Sequence, residues 1–156
     1  MANNRILILS LIVIIVIVVG AASYYMFFMQ KTPSQTVTVS VVLYGGEISA
    51  SKYGFGNSSS TLTSPGPTLH FKTTDAVNMT FINVGTQPHA WVLKDQNSIT
   101  ATTVFNAAIG SSSNYITPGS KGSVTFTPNK AGTYYYLCPI AGHDDPLGMY
   151  GVIIIS

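Results

Sequence analysis

Hydrophobic positions follow two different patterns along the chain, and the pattern changes near residue 31. Residues 6–29, "ILILSLIVIIVIVVGAASYYMFFM", contain no charged side chain. As a helix rising 1.5 Å per residue, this segment is about 36 Å long, enough to cross a hydrocarbon core of roughly 30 Å. The sequence therefore predicts an N-terminal membrane anchor over residues 1–31, with one transmembrane helix at 6–29, followed by a domain over 32–156.

The same apolar segment has a second interpretation. Residues 20–23 are small and resemble the cleavage site of a secretory signal peptide. Aromatic residues within 24–28 are typical of a membrane–water interface and favour an uncleaved, single-pass anchor. Under both interpretations the rest of the chain is exported. We therefore expect the protein at the cell membrane, with its second domain on the extracytoplasmic side.

Beyond residue 31, apolar and polar positions alternate with the period of two that is typical of β-strands. The Gly- and Ser-rich residues 44–66 predict a long exposed loop, and 95–121 predict a connection that allows one helical turn at 102–109. Residues 123–138 predict a hairpin. The predicted strands are 35–43, 67–71, 76–84, 89–93, 123–128, 132–138 and 149–155. Such a series of short strands indicates an all-β sandwich or barrel.

Composition narrows the range of partners. Only 8% of the residues are charged and the formal net charge is +2, so the chain has no basic stripe and we expect no nucleic-acid partner. Cys138 is the single cysteine and cannot form an intramolecular disulfide. In an exported domain a lone thiol is either a liability or is occupied by chemistry.

The chemistry is concentrated in residues 134–151, "YYYLCPIAGHDDPLGMYG". This stretch places Cys138, His143 and Met149 around one loop. A thiolate, an imidazole and a thioether are ligands for soft and borderline metals. The adjacent acids Asp144 and Asp145 are interpreted as a solvated turn.

A further donor must come from elsewhere in the chain. His89 follows Pro88 at the start of a predicted strand, and strand ends that meet across a sandwich can converge. His70 alternates with inward-facing residues and is expected on the surface. Two imidazoles, a thiolate and a weak thioether suit copper in both oxidation states, whereas structural zinc rarely takes a thioether and calcium prefers oxygen. The sequence therefore predicts a copper site.

The segments "AGTYYYLCPIAGHDDPLGMYGVIII", "ITPGSKGSVTFTPNKAGTYYY" and "GPTLHFKTTDAVNMTFINVGTQPHAW" resemble the cupredoxins, the small blue copper proteins. The resemblance covers most of residues 66–156 and is strongest to rusticyanin and to the membrane-anchored sulfocyanins. It implies a Greek-key β-sandwich with one type 1 copper ion, bound by the imidazoles of His89 and His143, the thiolate of Cys138 and the axial thioether of Met149. Five residues separate His143 from Met149, one more than in these relatives, so we expect a bulge before Gly148.

The resemblance also implies a function. A type 1 copper protein carries single electrons, here between respiratory partners such as a cytochrome complex or a terminal oxidase. We expect no enzymatic activity, because after the two histidine ligands only His70 remains for a second copper centre. The alternatives are a copper carrier or scavenger, an accessory subunit of a terminal oxidase, and a metal-free adhesive β domain.

Overall fold

The computed structural model describes residues 17–21, 23–26 and 36–156 of the 156-residue chain. The chain divides between residues 34 and 35 into two units. In the first unit, residues 17–21 and 23–26 are helical and exposed. No helix within the described ranges has the length and apolar character needed to span a membrane. The predicted anchor helix over 6–29 falls mostly outside these ranges and stays a prediction.

The second unit is built from β-strands, as the alternating pattern predicts. Residues 36–156 form nine strands: β1 (Thr38–Ser49), β2 (Lys52–Gly56), β3 (Leu69–Phe71), β4 (Ala76–Asn83), β5 (Trp91–Lys94), β6 (Thr103–Ile109), β7 (Lys121–Phe126), β8 (Gly132–Leu137) and β9 (Tyr150–Ile155). They form one sheet in the order β2-β1-β4-β7 and a second in the order β3-β9-β8-β5-β6. The pairs β1–β4 and β3–β9 are parallel, whereas the other pairs are antiparallel. The predicted all-β, two-sheet architecture is confirmed.

The core lies between the inward faces of the two sheets. On β4, Val77, Met79 and Phe81 are fully buried, whereas Asn78 between them is exposed. Aromatic packing links the sheets, because Tyr136 of β8 packs 5.1 Å from the Phe55 ring of β2 (centroid distance). Such aromatic pairs contribute about 0.5–1.5 kcal/mol each beyond the burial of their area.

The predicted loop over residues 44–66 is wrong for its first part. β1 continues to Ser49 and pairs antiparallel with β2, which carries the buried Phe55. The glycines of this segment permit close packing. A Cβ on Gly45 would lie 2.6 Å from the Phe81 ring and 2.9 Å from the Met149 methyl group. Small residues therefore mark a crowded strand here, although in sequence they look like a flexible loop.

Two further local predictions are wrong. Residues 102–109 form no helical turn, because Thr103–Ile109 is strand β6, paired with β5. The segments predicted as a hairpin at 123–138 lie in different sheets, since β7 pairs with β4 while β8 pairs with β5 and β9. Alternation identifies a strand but carries no information on which strand becomes its neighbour.

Candidate metal centre

Cys138 and Met149 stand at the loop end of the hairpin formed by β8 and β9. Cys138 follows the last residue of β8, and Met149 precedes the first residue of β9. The backbone N–H of Cys138 donates to the carbonyl of Met149 at 3.1 Å, which extends the pairing of the two strands by one step. The hairpin therefore fixes both ends of the loop that carries His143.

His89 is presented by a turn that crosses from one sheet to the other. Asn83, fully buried at the end of β4, organises this turn: its amide nitrogen donates to the carbonyls of Gln87 and Ile116, both at 2.8 Å, and its side-chain oxygen accepts from Gly85 N–H at 2.9 Å. His89 exchanges two backbone hydrogen bonds with Ile116, of 3.1 and 2.8 Å. The backbone at His89 is thus held from both sides, and the predicted convergence of strand ends is confirmed.

Three of the four predicted donor atoms surround a common centre. His89 Nδ1 and His143 Nδ1 are 3.1 Å apart, and Cys138 Sγ lies 3.5 Å from His143 Nδ1 and 4.0 Å from His89 Nδ1. The point equidistant from the three atoms is about 2.1 Å from each, close to metal–imidazole and metal–thiolate bond lengths. Two imidazoles and one thiol in this triangle therefore fit a copper ion.

Met149 is joined through its backbone to both Cys138 and His143, and its side chain is fully buried. Its backbone N–H donates to the carbonyl of His143 at 2.9 Å. The long spacing is accommodated by a tight turn, which Gly148 N–H closes on the carbonyl of Asp144 at 2.6 Å. Gly148 has a φ of 77°, and a Cβ there would lie 2.5 Å from the Ser64 hydroxyl, so glycine is required at the expected bulge.

The sequence of residues 58–156 matches the model of the copper binding proteins, plastocyanin/azurin family. This chain belongs to that family. No curated protein sequence matches it significantly. The predicted resemblance to the cupredoxins is confirmed, and copper is the cofactor that the family and the donor set share.

Solved structures of blue copper proteins share the fold. A methionine-to-glutamine mutant of rusticyanin is 25% identical, with a TM-score of 0.61 over 78% of this chain and 80% of that one. Reduced rusticyanin is 22% identical, with a TM-score of 0.55 over 78% and 81% of the two chains. The copper nitrite reductase of Nitrosomonas europaea is 25% identical, with a TM-score of 0.54 over 76% of this chain and 41% of that one. The chain is thus a cupredoxin similar to rusticyanin.

Burial controls the protonation of the donors in this cupredoxin. Burial raises the pKa of the Cys138 thiol to about 11, although N–H groups of Ile140 and Ala90 act in the opposite direction. The Ala90 amide donates towards the sulfur from 3.4 Å. Burial, together with the neighbouring His143, lowers the pKa of His89 to about 4. Metal binding at neutral pH therefore meets neutral imidazoles and must displace the thiol proton.

The sequence analysis missed Glu47 on β1, which lies behind His89. Its two carboxylate oxygens accept the backbone N–H groups of Thr86 at 2.8 Å and Gln87 at 2.9 Å, and one of them lies 3.4 Å from His89 Nε2. Burial alone would raise the pKa of Glu47, but the hydrogen bonds from these two amides lower it. The contact with His89 lacks the geometry of a hydrogen bond, so the carboxylate acts through its charge to favour the imidazole orientation in which Nδ1 faces the metal. Glu47 is the single glutamate of the sequence, which is the one signal that could have singled it out.

Tyr53 on β2 is the second missed residue. Its ring contacts both imidazoles edge-on, at centroid distances of 4.8 Å to His143 and 5.4 Å to His89. Its backbone N–H donates to the carbonyl of Leu147 in the ligand loop at 2.9 Å. Strand β2 therefore supports the metal centre from the side, a role that no local sequence pattern indicates. His70 lies exposed on β3, as predicted.

Proposed function

We propose that this cupredoxin is a membrane-anchored type 1 copper protein that carries single electrons between respiratory-chain partners on the outer face of the cytoplasmic membrane. In this proposal His89, Cys138, His143 and Met149 hold one copper ion. The observation that supports it most strongly is the triangle of donor atoms, with sides of 3.1–4.0 Å, assembled at a buried end of the sandwich. Copper bound there supplies a one-electron couple between Cu(I) and Cu(II).

Fast electron transfer requires ligands that move little when the charge of the site changes. His89 is held by its backbone bonds to Ile116, and Cys138 is joined to Met149 across the hairpin. Three of the four donors are enclosed: His89, Cys138 and Met149 are fully buried, so water does not reach them, whereas His143 is half-buried. A rigid, dry site of this kind suits a carrier more than a scavenger, which needs exchangeable metal.

The outer face of the ligand loop supports contact with redox partners. His143 is half-buried, and the loop around it exposes apolar side chains, fully or in part. These are Pro139, Ile140, Ala141, Pro146 and Leu147. Weak electron-transfer complexes use small interfaces that dissociate quickly. A cytochrome complex or a terminal oxidase would dock here.

The membrane location and the absence of enzymatic activity belong to the same proposal. The uncharged run 6–29 is long enough for a single-pass anchor, which would confine the carrier to the surface where respiratory complexes lie. A copper oxidase needs further histidine ligands, and the sequence contains only one more histidine, His70. We therefore propose an electron carrier without a reaction of its own.

The test is to purify the full-length chain in detergent, add Cu(II), and record the visible spectrum and the metal content. We expect an intense blue colour at one copper per chain. Cys138→Ser should abolish it, whereas His70→Gln, which removes an exposed histidine on β3, should leave it unchanged. A colourless protein, or a blue one that survives Cys138→Ser, would refute the copper centre, and rapid loss of copper to a chelator would favour the scavenger.

A further inference from the structure

The chain contains only five acidic residues, and two of them have no side-chain partner among the residues that the structure describes. Three accept hydrogen bonds from backbone N–H groups: Glu47, Asp75 and Asp95. The side chains of Asp144 and Asp145 make neither a hydrogen bond nor an ion pair within residues 36–156. Unlike the other three acids, Asp144 and Asp145 do not stabilise a turn by accepting backbone N–H groups, so their presence has a different reason.

Asp144 is the unusual member of the pair, because it is only 8% exposed. A carboxylate in such a place is unfavourable unless a cation or a hydrogen-bond donor meets it. Two polar side-chain atoms in the described residues are fully enclosed and lack a hydrogen bond, and neither belongs to Asp144. The Asp144 carboxylate oxygens are therefore accessible to solvent. Asp144 and Asp145 line a cavity of about 230 Å³ together with Asn97, Ser98, Ile99 and Gly142.

The cavity lies beside the part of the ligand loop that carries His143, although His143 itself does not line it. Gly142 and Asp144, the two chain neighbours of His143, both line it. Opposite them, Asn97 and Ser98 add an amide and a hydroxyl oxygen that can accept further hydrogen bonds. An anionic pocket with four oxygen-bearing side chains, beside the imidazole that a partner approaches, is suited to a cationic group on that partner.

We infer that this pocket receives a lysine or arginine side chain of the redox partner, which rests on the proposed electron-carrier function. The cationic head group replaces water at the Asp144 carboxylate and forms charge-assisted hydrogen bonds there. Charge pairs at the rim of an interface act mainly on the association rate and on orientation. The pocket thus aligns the partner with its redox group facing His143.

Binding can be tested separately from electron transfer. Hexaamminechromium(III) is a redox-inert, paramagnetic cation that broadens the NMR signals of nearby nuclei. We expect selective broadening at residues 97–99 and 142–145 of the full chain, with or without copper. Asp144→Asn/Asp145→Asn should remove this broadening, whereas Asp75→Asn, which also removes acid charge but lies in the turn before β4, should retain it.

Rates give the second measurement. Hexaammineruthenium(II) and hexacyanoferrate(II) each donate one electron to the oxidised, copper-loaded protein, but carry opposite charges. At low ionic strength the double variant should react several-fold more slowly with the ruthenium cation and faster with the iron anion, and salt should reduce both effects. The spectrum should be unchanged.

Three outcomes would overturn the inference. They are absent or non-selective broadening, equal changes in rate for both reagents, and saturable micromolar Ca²⁺ binding that displaces the chromium complex, which would make the pocket a metal site. Selective broadening in a chain that never turns blue would instead support the anionic, cation-binding pocket and refute the proposed electron carrier.

Discussion

The inner and outer sides of the metal centre hold the same kind of ligand in different ways. On the inner side, His89 is fully buried, paired through its backbone with Ile116 and supported by Glu47. On the outer side, His143 is half-buried and is carried by the loop between Cys138 and Met149. The comparison indicates that the inner side fixes the geometry of the centre, while the outer side is the one that is open to solvent and, in the proposed function, to redox partners.

The acids follow the same division. Glu47 on the inner side binds two backbone N–H groups, which stabilise its charged form. Asp144 on the outer side has no such donor, and burial, with the neighbouring charge of Asp145, raises its pKa. The Glu47 carboxylate is therefore stabilised by donors within the fold, whereas the Asp144 carboxylate is available to a donor or cation from another molecule.

The largest effect that distinguishes the two sides is expected from removing each imidazole. His89→Gly and His143→Gly should both lose the blue absorption, because each deletes one of three strong donors. Added imidazole should restore the colour in His143→Gly, whose opening reaches solvent, but not in His89→Gly, whose cavity is enclosed. Visible titration with imidazole measures this. Equal restoration in both variants would contradict the enclosed inner side, provided that circular dichroism shows both to be folded.

A smaller effect is expected at the support behind His89. Glu47→Ala removes the acceptor of two backbone N–H groups and the carboxylate beside Nε2. Loss of such an outer partner typically lowers metal affinity about 10- to 100-fold, and we expect a loss of about 1–3 kcal/mol in the free energy of unfolding of the copper-free protein. Competition with a chelator and denaturant unfolding measure the two quantities.

Asp75→Ala is the matched control for this prediction. Asp75 is buried, whereas Glu47 is partly buried, and it also accepts a backbone N–H, that of Lys72 at 2.8 Å. It stands before β4, whereas the metal centre follows that strand. This variant should lose comparable stability without losing copper affinity. If both variants reduced the affinity equally, Glu47 would act on the fold as a whole and not on His89.

The inner and outer sides also differ in how far the sequence predicted them. Cys138, His143 and Met149 could be recognised because they are close together in the chain and their donor chemistry is independent of the fold. His89 required one further step, the expectation that strand ends converge. The alternation of apolar residues was sufficient for the strands of the core, such as β4 with its buried Phe81.

The supports of the inner side could not be predicted, because strand pairing brings them to the site. Glu47 and Tyr53 face each other across the β1–β2 register, in a stretch whose glycines look like a loop. Glycine is favoured both where a chain turns freely and where two backbones approach closely, and only the neighbours distinguish the two cases. The crossover from β7 to β8 was missed for the same reason, since partners in a sheet are not local.

The smallest effect is expected at Tyr53, whose ring contacts both sides at once. The plane of its ring is nearly perpendicular to the imidazole planes of His89 and His143, at angles of 85° and 89°. Such an edge-to-face arrangement stabilises an aromatic pair by about 0.5–1.5 kcal/mol. Tyr53→Leu should therefore loosen His143 more than His89, because His89 is fully buried and keeps its contact with Glu47. We expect a broader copper EPR signal and a several-fold lower affinity, with Tyr53→Phe restoring both. If Phe behaved like Leu, the hydroxyl rather than the ring would join the two sides, and the mobility of the outer imidazole would need another cause.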